Sequence, residues 1–221
     1  VLKNNNLPVG TVNSLISLDS QTVLAAMQGG IYKTIDGAEK WIPKNTGLDV
    51  SLNYQDIFKL NNTDLFTIAY LYDYGSNTFT ARIYKSLDQG ENWQDITGNF
   101  PQSPTIETYN RLRTILAINS NIIYVGTQHQ GIFKTIDGGA NWQRINNGLA
   151  AKLNVNNIIS ESATVLYAAT TEGVYKTING GENWQAFNNG FLDVDSYAYT
   201  LLMYQNQLWG AAWGAGVYKT V

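Results

Sequence analysis

One short motif occurs five times along this chain: a glycine or arginine, an aliphatic residue, an aromatic residue, lysine, and a hydroxyl residue. The copies occupy residues 30–34, 82–86, 131–135, 173–177 and 216–220. A motif that returns at intervals of about 40 to 50 residues is typical of proteins built from stacked supersecondary units that share a continuous core. The chain is therefore predicted to contain five similar units.

Two further apolar runs precede each copy of the motif. In the third unit they are Ile115-Leu116-Ala117-Ile118 and Ile123-Tyr124-Val125-Gly126, separated by Asn and Ser. Short runs bounded by turn residues, with no helical period, predict successive antiparallel strands. Units of this length and content are typical of propeller blades. We therefore predict an all-β fold, a five-bladed β-propeller of four-stranded antiparallel blades, as one domain over residues 1–221.

The two ends of the chain bear on closure of the ring. The chain stops just after the fifth motif, and residues 1–6 resemble the segment that follows a repeat tryptophan. The N-terminal strand is therefore predicted to complete the last blade, which would protect an open sheet edge. A whole number of repeats excised from a larger ring is the alternative interpretation.

Composition argues against several classes of function. The formal charge is only −3, with no basic run, so nucleic acid is not an expected partner. There is no cysteine for a disulfide or a thiolate metal site, and no apolar stretch long enough for membrane insertion. No cofactor and no metal are predicted, and a monomer is expected. Because the chain begins at Val1 and not at Met, we expect a processed or excised soluble domain.

The turn between the third and fourth strands (C and D, counting A to D outward from the ring axis) carries a second pattern. Residues 86–93 and 135–142 both read Ser/Thr-x-Asp-x-Gly-x-x-Trp. This pattern resembles the Asp-box, or BNR, repeat of sialidases, xyloglucan-cleaving glycosidases, photosystem II assembly factors and sortilin-type receptors. Two copies depart from it, with Ala38 in place of Gly and Asn179 in place of Asp. The resemblance implies a propeller and a secreted or periplasmic location.

The box residues are predicted to be structural. A short acceptor side chain can bond the amides of its own turn, and a tryptophan can pack between sheets. Isolated carboxylates on separate blades cannot supply the six to eight oxygens that calcium requires. The residues with this predicted role are Asp36, Trp41, Asp88, Trp93, Asp137, Trp142, Asn179 and Trp184.

A binding site is predicted on the opposite face, where the D-to-A and B-to-C connections of a propeller emerge; we call it the loop face. Aromatic rings pack on sugar C–H groups, and Arg bonds hydroxyls, so a glycan or a protein is the expected partner. The alternative for the tyrosines of the long connection at 70–77 is packing on their own hairpin. Trp209 aligns with Tyr124 and Tyr167 and is expected in the core. The candidate ligand-binding residues are Tyr70, Tyr72, Tyr74, Arg113, His129, Tyr199 and Trp213.

The sequence favours a noncatalytic binding module. His129, the single histidine, has no evident nucleophile and carboxylate partners. The arginine cluster and the Phe/Tyr-Arg-Ile-Pro motif of sialidases are missing, and xyloglucanase-like enzymes use two larger propellers. One alternative is an assembly module resembling the photosystem II factors. The other is a minimal glycosidase with a carboxylate pair drawn from Asp56, Asp73, Glu107, Glu172, Asp193 and Asp195.

Overall fold

The structure is a computed structural model that describes residues 3–76, 78–102, 111–188, 197–214 and 216–220. All regular secondary structure in these ranges is β-sheet, in five antiparallel sheets that form the blades of a ring. The five-bladed β-propeller predicted from the repeat is confirmed. Within the same ranges, no helix has the length and apolar character needed to cross a bilayer.

Four blades contain four strands, and the described part of the fifth contains three. Blade 1 comprises β1 (Val12–Ser17), β2 (Val23–Met27), β3 (Gly30–Thr34) and β4 (Ile42–Pro43). Blade 2 comprises β5 (Asn53–Lys59), β6 (Leu65–Asp73), β7 (Thr78–Ser86) and β8 (Gln94–Asp95). Blade 3 comprises β9 (Leu112–Ala117), β10 (Ile123–Thr127), β11 (Ile132–Thr135) and β12 (Gln143–Arg144). Blade 4 comprises β13 (Val155–Ser160), β14 (Leu166–Thr170), β15 (Gly173–Thr177) and β16 (Gln185–Ala186), and blade 5 comprises β17 (Ala198–Tyr204), β18 (Gln207–Ala212) and β19 (Gly216–Lys219).

The second strand of blades 3 and 4 is buried because sheets of neighbouring blades cover both of its faces. Every residue of β10 and of β14 is buried. A strand that is buried on both faces has a continuous run of apolar residues, whereas a half-exposed strand alternates apolar and polar residues. This explains the apolar sequences of these segments. In blade 2 the hairpin is longer than in the others, since β6 and β7 pair over nine residues, out to Asp73 and Thr78.

The hydrophobic core lies between blades. Strand A of each of blades 2 to 5 places an aliphatic side chain against the preceding blade: Ile57, Ile115, Ile158 and Leu201, each at most 5% exposed. Four apolar clusters therefore occupy the four successive boundaries from blade 1 to blade 5.

The four turns at residues 34–41, 86–93, 135–142 and 177–184, here called the box turns, share one hydrogen-bond pattern. In blade 3, Asp137 Oδ1 accepts bonds from the Thr135 hydroxyl (2.8 Å) and the Asn141 amide (2.9 Å). Asn179 Oδ1 accepts the equivalent bonds from Thr177 and Asn183. The pattern needs an acceptor oxygen and not a charge, so the replacement of Asp by Asn in blade 4 leaves the turn intact.

The box tryptophans pack between blades. Each is at most 7% exposed, and each indole Nε1 donates to a main-chain carbonyl of the segment preceding its blade. At blade 2 the acceptor is Lys44, near the end of blade 1 (3.0 Å), and at blade 1 it is Lys3 (2.9 Å). Residues 3–5 therefore contact blade 1 in the same way that the end of blade 1 contacts blade 2.

The predicted closing strand is only partly described. Val1 and Leu2 lie outside the described residues, and the fifth sheet has three strands in the described part, β17, β18 and β19. Trp209, expected in the core, is half-buried because no sheet covers that side of blade 5 in the described structure.

Candidate ligand site on the loop face

A β-bulge occurs at the same place in strand A of all five blades. The paired registers skip one residue in each strand, next to the B-to-C hairpins. Such a bulge leaves one residue outside the ladder and re-aims its side chain. The residues skipped are Asn13, Gln55, Arg113, Asn156 and Tyr199.

Three of these bulged residues line one cavity. It has a volume of about 380 Å³, within the range of small-ligand sites. Tyr199 and Trp213 form its aromatic side, with ring centroids 6.3 Å apart and an angle of 32° between the planes. We call it the Trp213 cavity, and its lining residues are Arg113, Asn154, Asn156, Thr171, Tyr197, Tyr199 and Trp213.

The main chain fixes the position of the aromatic side. The amide of Trp213, in the β18–β19 connection, donates to the carbonyl of Tyr197 at the start of strand A (3.0 Å). This bond joins the B-to-C connection of blade 5 to the start of its strand A. Trp213 is 74% exposed and Tyr199 is 53% exposed, so large apolar surfaces face solvent at the cavity.

Polar groups of blades 3 and 4 form the other side. Asn156 donates from Nδ2 to the carbonyl of Ala198 in blade 5 (2.8 Å), which holds this side chain across the blade boundary. The buried Oδ1 of Asn154 has no hydrogen-bond partner among the described residues. A buried acceptor without a partner is costly, so it marks a position where a ligand hydroxyl or amide could donate.

Arg113 supplies positive charge at the cavity. Removal from water lowers its pKa, and the neighbouring Arg111 lowers it further, while Tyr199 and Tyr70 act in the opposite direction. A guanidinium stays protonated under all ordinary conditions, so Arg113 remains a cationic donor. Arg111 is held in place beside it by a 2.6 Å bond to Gln55 Oε1 and by stacking on the ring of Tyr70, 4.6 Å from the centroid.

The tyrosines of the long hairpin lie outside the lining of the Trp213 cavity. Tyr70 stacks on Phe79 (centroids 5.3 Å apart) and accepts a bond at its hydroxyl from Asn53 (3.1 Å). Tyr72 and Tyr74 contact each other edge to face, with centroids 4.5 Å apart. Tyr70 and Tyr72 also pack against the apolar core between blades 2 and 3.

The structure thus brings together three of the predicted ligand residues: Arg113, Tyr199 and Trp213. His129 is exposed in the blade 3 hairpin, with φ of 74°, and is not a lining residue of this cavity. Sequence reasoning missed Asn154, Asn156 and Thr171. An alignment of the five A strands would have found Asn156, because it stands in one column with Arg113 and Tyr199.

The described carboxylates considered for catalysis belong to three different segments: Asp56 to β5, Asp73 to the end of β6, and Glu172 to the β14–β15 turn. Asp56 of blade 2 accepts a bond from the Ser14 hydroxyl of blade 1 (2.9 Å), and burial raises its pKa to about 6. Asp73 caps its own hairpin by accepting bonds from the Ser76 hydroxyl and the Gly75 amide, which lower its pKa. Glu172 is exposed, while Glu107, Asp193 and Asp195 lie outside the described residues. In the described ranges, no group of three or more Asp, Glu, His or Cys side chains could hold a metal ion.

Fold and site together define a β-propeller with a ligand-sized cavity on its loop face. The chain belongs to the family of the DUF6242 beta propeller domain, whose family model matches residues 68–208, more than half of the chain. A search of curated proteins finds no match.

Solved structures with the same fold include two GH74 proteins and the extracellular domain of a putative one component system. The GH74 enzyme of Niastella koreensis is 20% identical with a TM-score of 0.69, over 96% of this chain and 36% of that one. The GH74 xyloglucanase of Xanthomonas campestris is 14% identical with a TM-score of 0.68, over 95% and 36%. The extracellular domain of a putative one component system of B. thetaiotaomicron is 12% identical with a TM-score of 0.65, over 97% and 28%. At these identities the likeness shows the fold alone, and the chain spans about a third of the length of the two GH74 proteins.

Proposed function

We propose that this propeller is a noncatalytic binding module that recognises a glycan at the Trp213 cavity. The observation that carries the proposal is the pairing of an exposed aromatic side, Tyr199 and Trp213, with a polar side that contains Arg113 and Asn154. Sugar rings present apolar C–H faces and many hydroxyls, so they match a site with one aromatic wall and several hydrogen-bonding groups.

The unpartnered Oδ1 of Asn154 favours a ligand rich in hydrogen-bond donors. A sugar hydroxyl can donate to this oxygen while it accepts from the guanidinium of Arg113. A hydroxyl that does both would satisfy a buried acceptor and a cation at once, which supports a glycan over a purely apolar ligand.

The described lining of the Trp213 cavity supports a noncatalytic role. A glycosidase of the usual kind needs two carboxyl groups flanking the scissile bond. The residues that line the Trp213 cavity in the described part of the chain include none. The GH74 enzymes share the fold, but the proposal for this chain rests on its own residues and not on their activity.

The test is a glycan array followed by calorimetry on the best glycan. Trp213→Ala should abolish measurable binding because it removes the larger aromatic face. Asn154→Ala should weaken binding by roughly tenfold, the loss expected for one buried hydrogen bond. Tyr74→Ala is the matched control, since Tyr74 is 88% exposed and lies outside the cavity.

Two results would count against this function. Glycan binding that survives Trp213→Ala but is lost in Tyr74→Ala would move the site to the long hairpin. No glycan binding, together with capture of a peptide that depends on Trp213, would make the module a protein-binding one.

The box turns also support the assignment of the repeat to the Asp-box class. The acceptor at position three and the buried tryptophan at position eight occur in all four box turns, with the same bonds. The secreted or periplasmic location associated with that class stays a prediction, which fractionation of the native host would test.

A further inference from the structure

Two arginines of blade 3 lie close together at the Trp213 cavity, and neither is paired with a carboxylate of the described chain. Arg113 lines the cavity, and both its removal from water and the neighbouring charge of Arg111 lower its pKa. The ion pairs within the described ranges involve other cations: Lys3, Lys33, Lys44 and Arg82. Two adjacent positive charges are therefore left without an anionic partner among these residues.

The carboxylates nearest in the fold are engaged elsewhere or point into solvent. Glu172 follows Thr171 of the cavity lining, but it is exposed and forms no ion pair with either arginine in the described structure. Asp56 lies next to the residue that holds Arg111, but its carboxylate accepts bonds from the Ser14 hydroxyl (2.9 Å) and the Ile115 amide (3.4 Å). Neither acid neutralises the two arginines.

The charge of the arginine pair is costly as it stands. A cation that loses water beside a second cation is destabilised, and an anion within reach offsets both effects. At the boundary between blades 1 and 2, by contrast, Lys33 and Lys44 share the carboxylate of Glu91, with N–O distances of 2.9 and 2.5 Å. The same compensation at the Trp213 cavity requires an anion from outside the described residues, and a ligand can bring it.

Arg111 is held in place by uncharged groups. Its Nη2 donates to Gln55 Oε1 (2.6 Å), and its guanidinium carbon lies 4.6 Å from the ring centroid of Tyr70. Its buried Nε has no hydrogen-bond partner among the described residues. These contacts orient Arg111 and leave its charge uncompensated, so it adds to the positive potential at Arg113.

The positive potential is local to this part of the molecule. The chain as a whole has a formal charge of −3, and Arg113 is the one charged residue in the described lining of the cavity. A concave site lined by charge of one sign concentrates ligands of the opposite sign. An anionic ligand is therefore attracted to the cavity and not to the surface in general.

We propose that the glycan recognised at the Trp213 cavity is acidic, and that its carboxylate or sulfate group binds the guanidinium of Arg113. This inference rests on the proposed glycan-binding function and adds the chemical class of the glycan. A guanidinium presents its donors in a planar fork, so it can bind two oxygens of one anion. Tyr199 and Trp213 then pack on the sugar ring, and Arg111 acts as a positioning residue through its charge.

An array of matched oligosaccharide pairs that differ only in charge tests this inference. The pairs are uronates with their methyl esters and sulfated sugars with their desulfated counterparts. We expect the protein to retain acidic members and to bind the neutral counterparts about tenfold to a hundredfold more weakly, the loss of hydrogen bonds to a charged group. Calorimetry on the retained pair gives the ratio, and the two kinds of pair distinguish carboxylate from sulfate. Added salt should reduce the ratio, because salt screens the ion pair.

Arginine variants identify the group that reads the charge. Arg113→Gln should remove the preference for the acidic member, and Arg113→Lys should keep a smaller preference, since it retains the charge but not the fork. Arg144→Gln is the matched control, because it makes the same change of charge at an exposed position of β12, outside the cavity. Circular dichroism checks that all three variants fold.

The possible results separate this inference from the function on which it rests. Equal binding of acidic and neutral members would overturn the inference and leave the glycan-binding function in place. So would a preference for acidic members that survives Arg113→Gln, or one that Arg144→Gln reduces as much. No binding of any glycan would remove the proposed function and this inference with it.

Discussion

The indole Nε1 of Trp184 donates a 3.0 Å hydrogen bond to the main-chain carbonyl of Ile145, and this bond joins blade 4 to blade 3. Trp142 and Trp93 make the same connection one and two blades earlier. Each of these tryptophans therefore stabilises a boundary between blades as well as its own turn.

Truncation of such a tryptophan should cost a large part of the stability. Trp184 is only 2% exposed, so Trp184→Ala removes a buried ring and should lower the free energy of unfolding by about 3–5 kcal/mol. Trp184→Phe keeps most of the ring but loses the donor, and should cost about 1–3 kcal/mol. Urea denaturation measures both values. Ile178→Ala, an exposed change in the same turn, should lie within about 0.5 kcal/mol of wild type; equal losses in all three variants would contradict the interpretation.

The box carboxylate of blade 3 should make stability depend on pH in the acid range. Hydrogen bonds from Asn141 and Thr135 lower the pKa of Asp137 to about 2, below its value of about 3.9 in an unfolded chain. A lowered folded-state pKa gives stabilisation that is present above pH about 4 and is lost as the pH falls towards 2. Asp137→Asn should fold normally, because Asn179 accepts the equivalent hydrogen bonds in blade 4. Its melting temperature should fall less steeply than that of wild type as the pH is lowered from about 4 to about 2. Parallel acid melting curves for the two proteins would contradict this prediction.

The carboxyl of Asp56 should act in the opposite direction. Burial raises its pKa to about 6, so ionisation opposes folding above the unfolded value of about 4 and does so fully above pH 6. Asp56→Asn should therefore be more stable than wild type at pH 7, by about 1–3 kcal/mol, and the difference should vanish below pH 4. Asn157, at the equivalent position of blade 4, already accepts a bond from the amide of Leu201, so Asn fits this site. Urea denaturation at pH 4 and pH 7 is the measurement, and an advantage that is the same at both would exclude the carboxyl as its cause.

Two glycines allow the effect of a Cβ clash to be separated from the effect of a positive φ. Gly148 has φ of 86°, and a Cβ there would collide with the carbonyl of Trp184; Gly214 has φ of 72° in open space. Gly148→Ala combines left-handed strain with a backbone clash, so it should lower stability well beyond the about 1 kcal/mol expected of strain alone in Gly214→Ala. Thermal melting of the two variants makes the comparison. Similar losses would mean that the structure around Gly148 adjusts freely.

The fold was predictable because it is repeated. Five copies of one motif identify strand C, and the buried runs around it, such as Ile123–Thr127, identify its neighbours. The positions of the box turns could be read from the sequence for the same reason, including the copy that has Asn179 in place of Asp. A single unit of this kind would have left the choice of fold open.

The site was only partly predictable, because it depends on which loops converge. Arg113, Tyr199 and Trp213 come from three separated segments, and they meet only through the ring. Asn154 carries no sequence signal, since its significance lies in a buried oxygen that finds no partner. The tyrosines of the long hairpin are prominent in the sequence, yet Tyr70 is engaged by Phe79, Asn53 and Arg111.

Because of the bulge shared by the five A strands, a residue that could contact a ligand can change independently of the strand pairing that maintains the fold. A residue that lies outside the ladder can change without shifting the register of its strand, and the chain already holds Asn13, Gln55, Arg113, Asn156 and Tyr199 at these positions. The ring thus offers five equivalent places, three of them at the Trp213 cavity, where an amide, a cation or an aromatic ring can be exchanged without a change in strand register. Specificity in such a protein can be rewritten one blade at a time, by selection or by design.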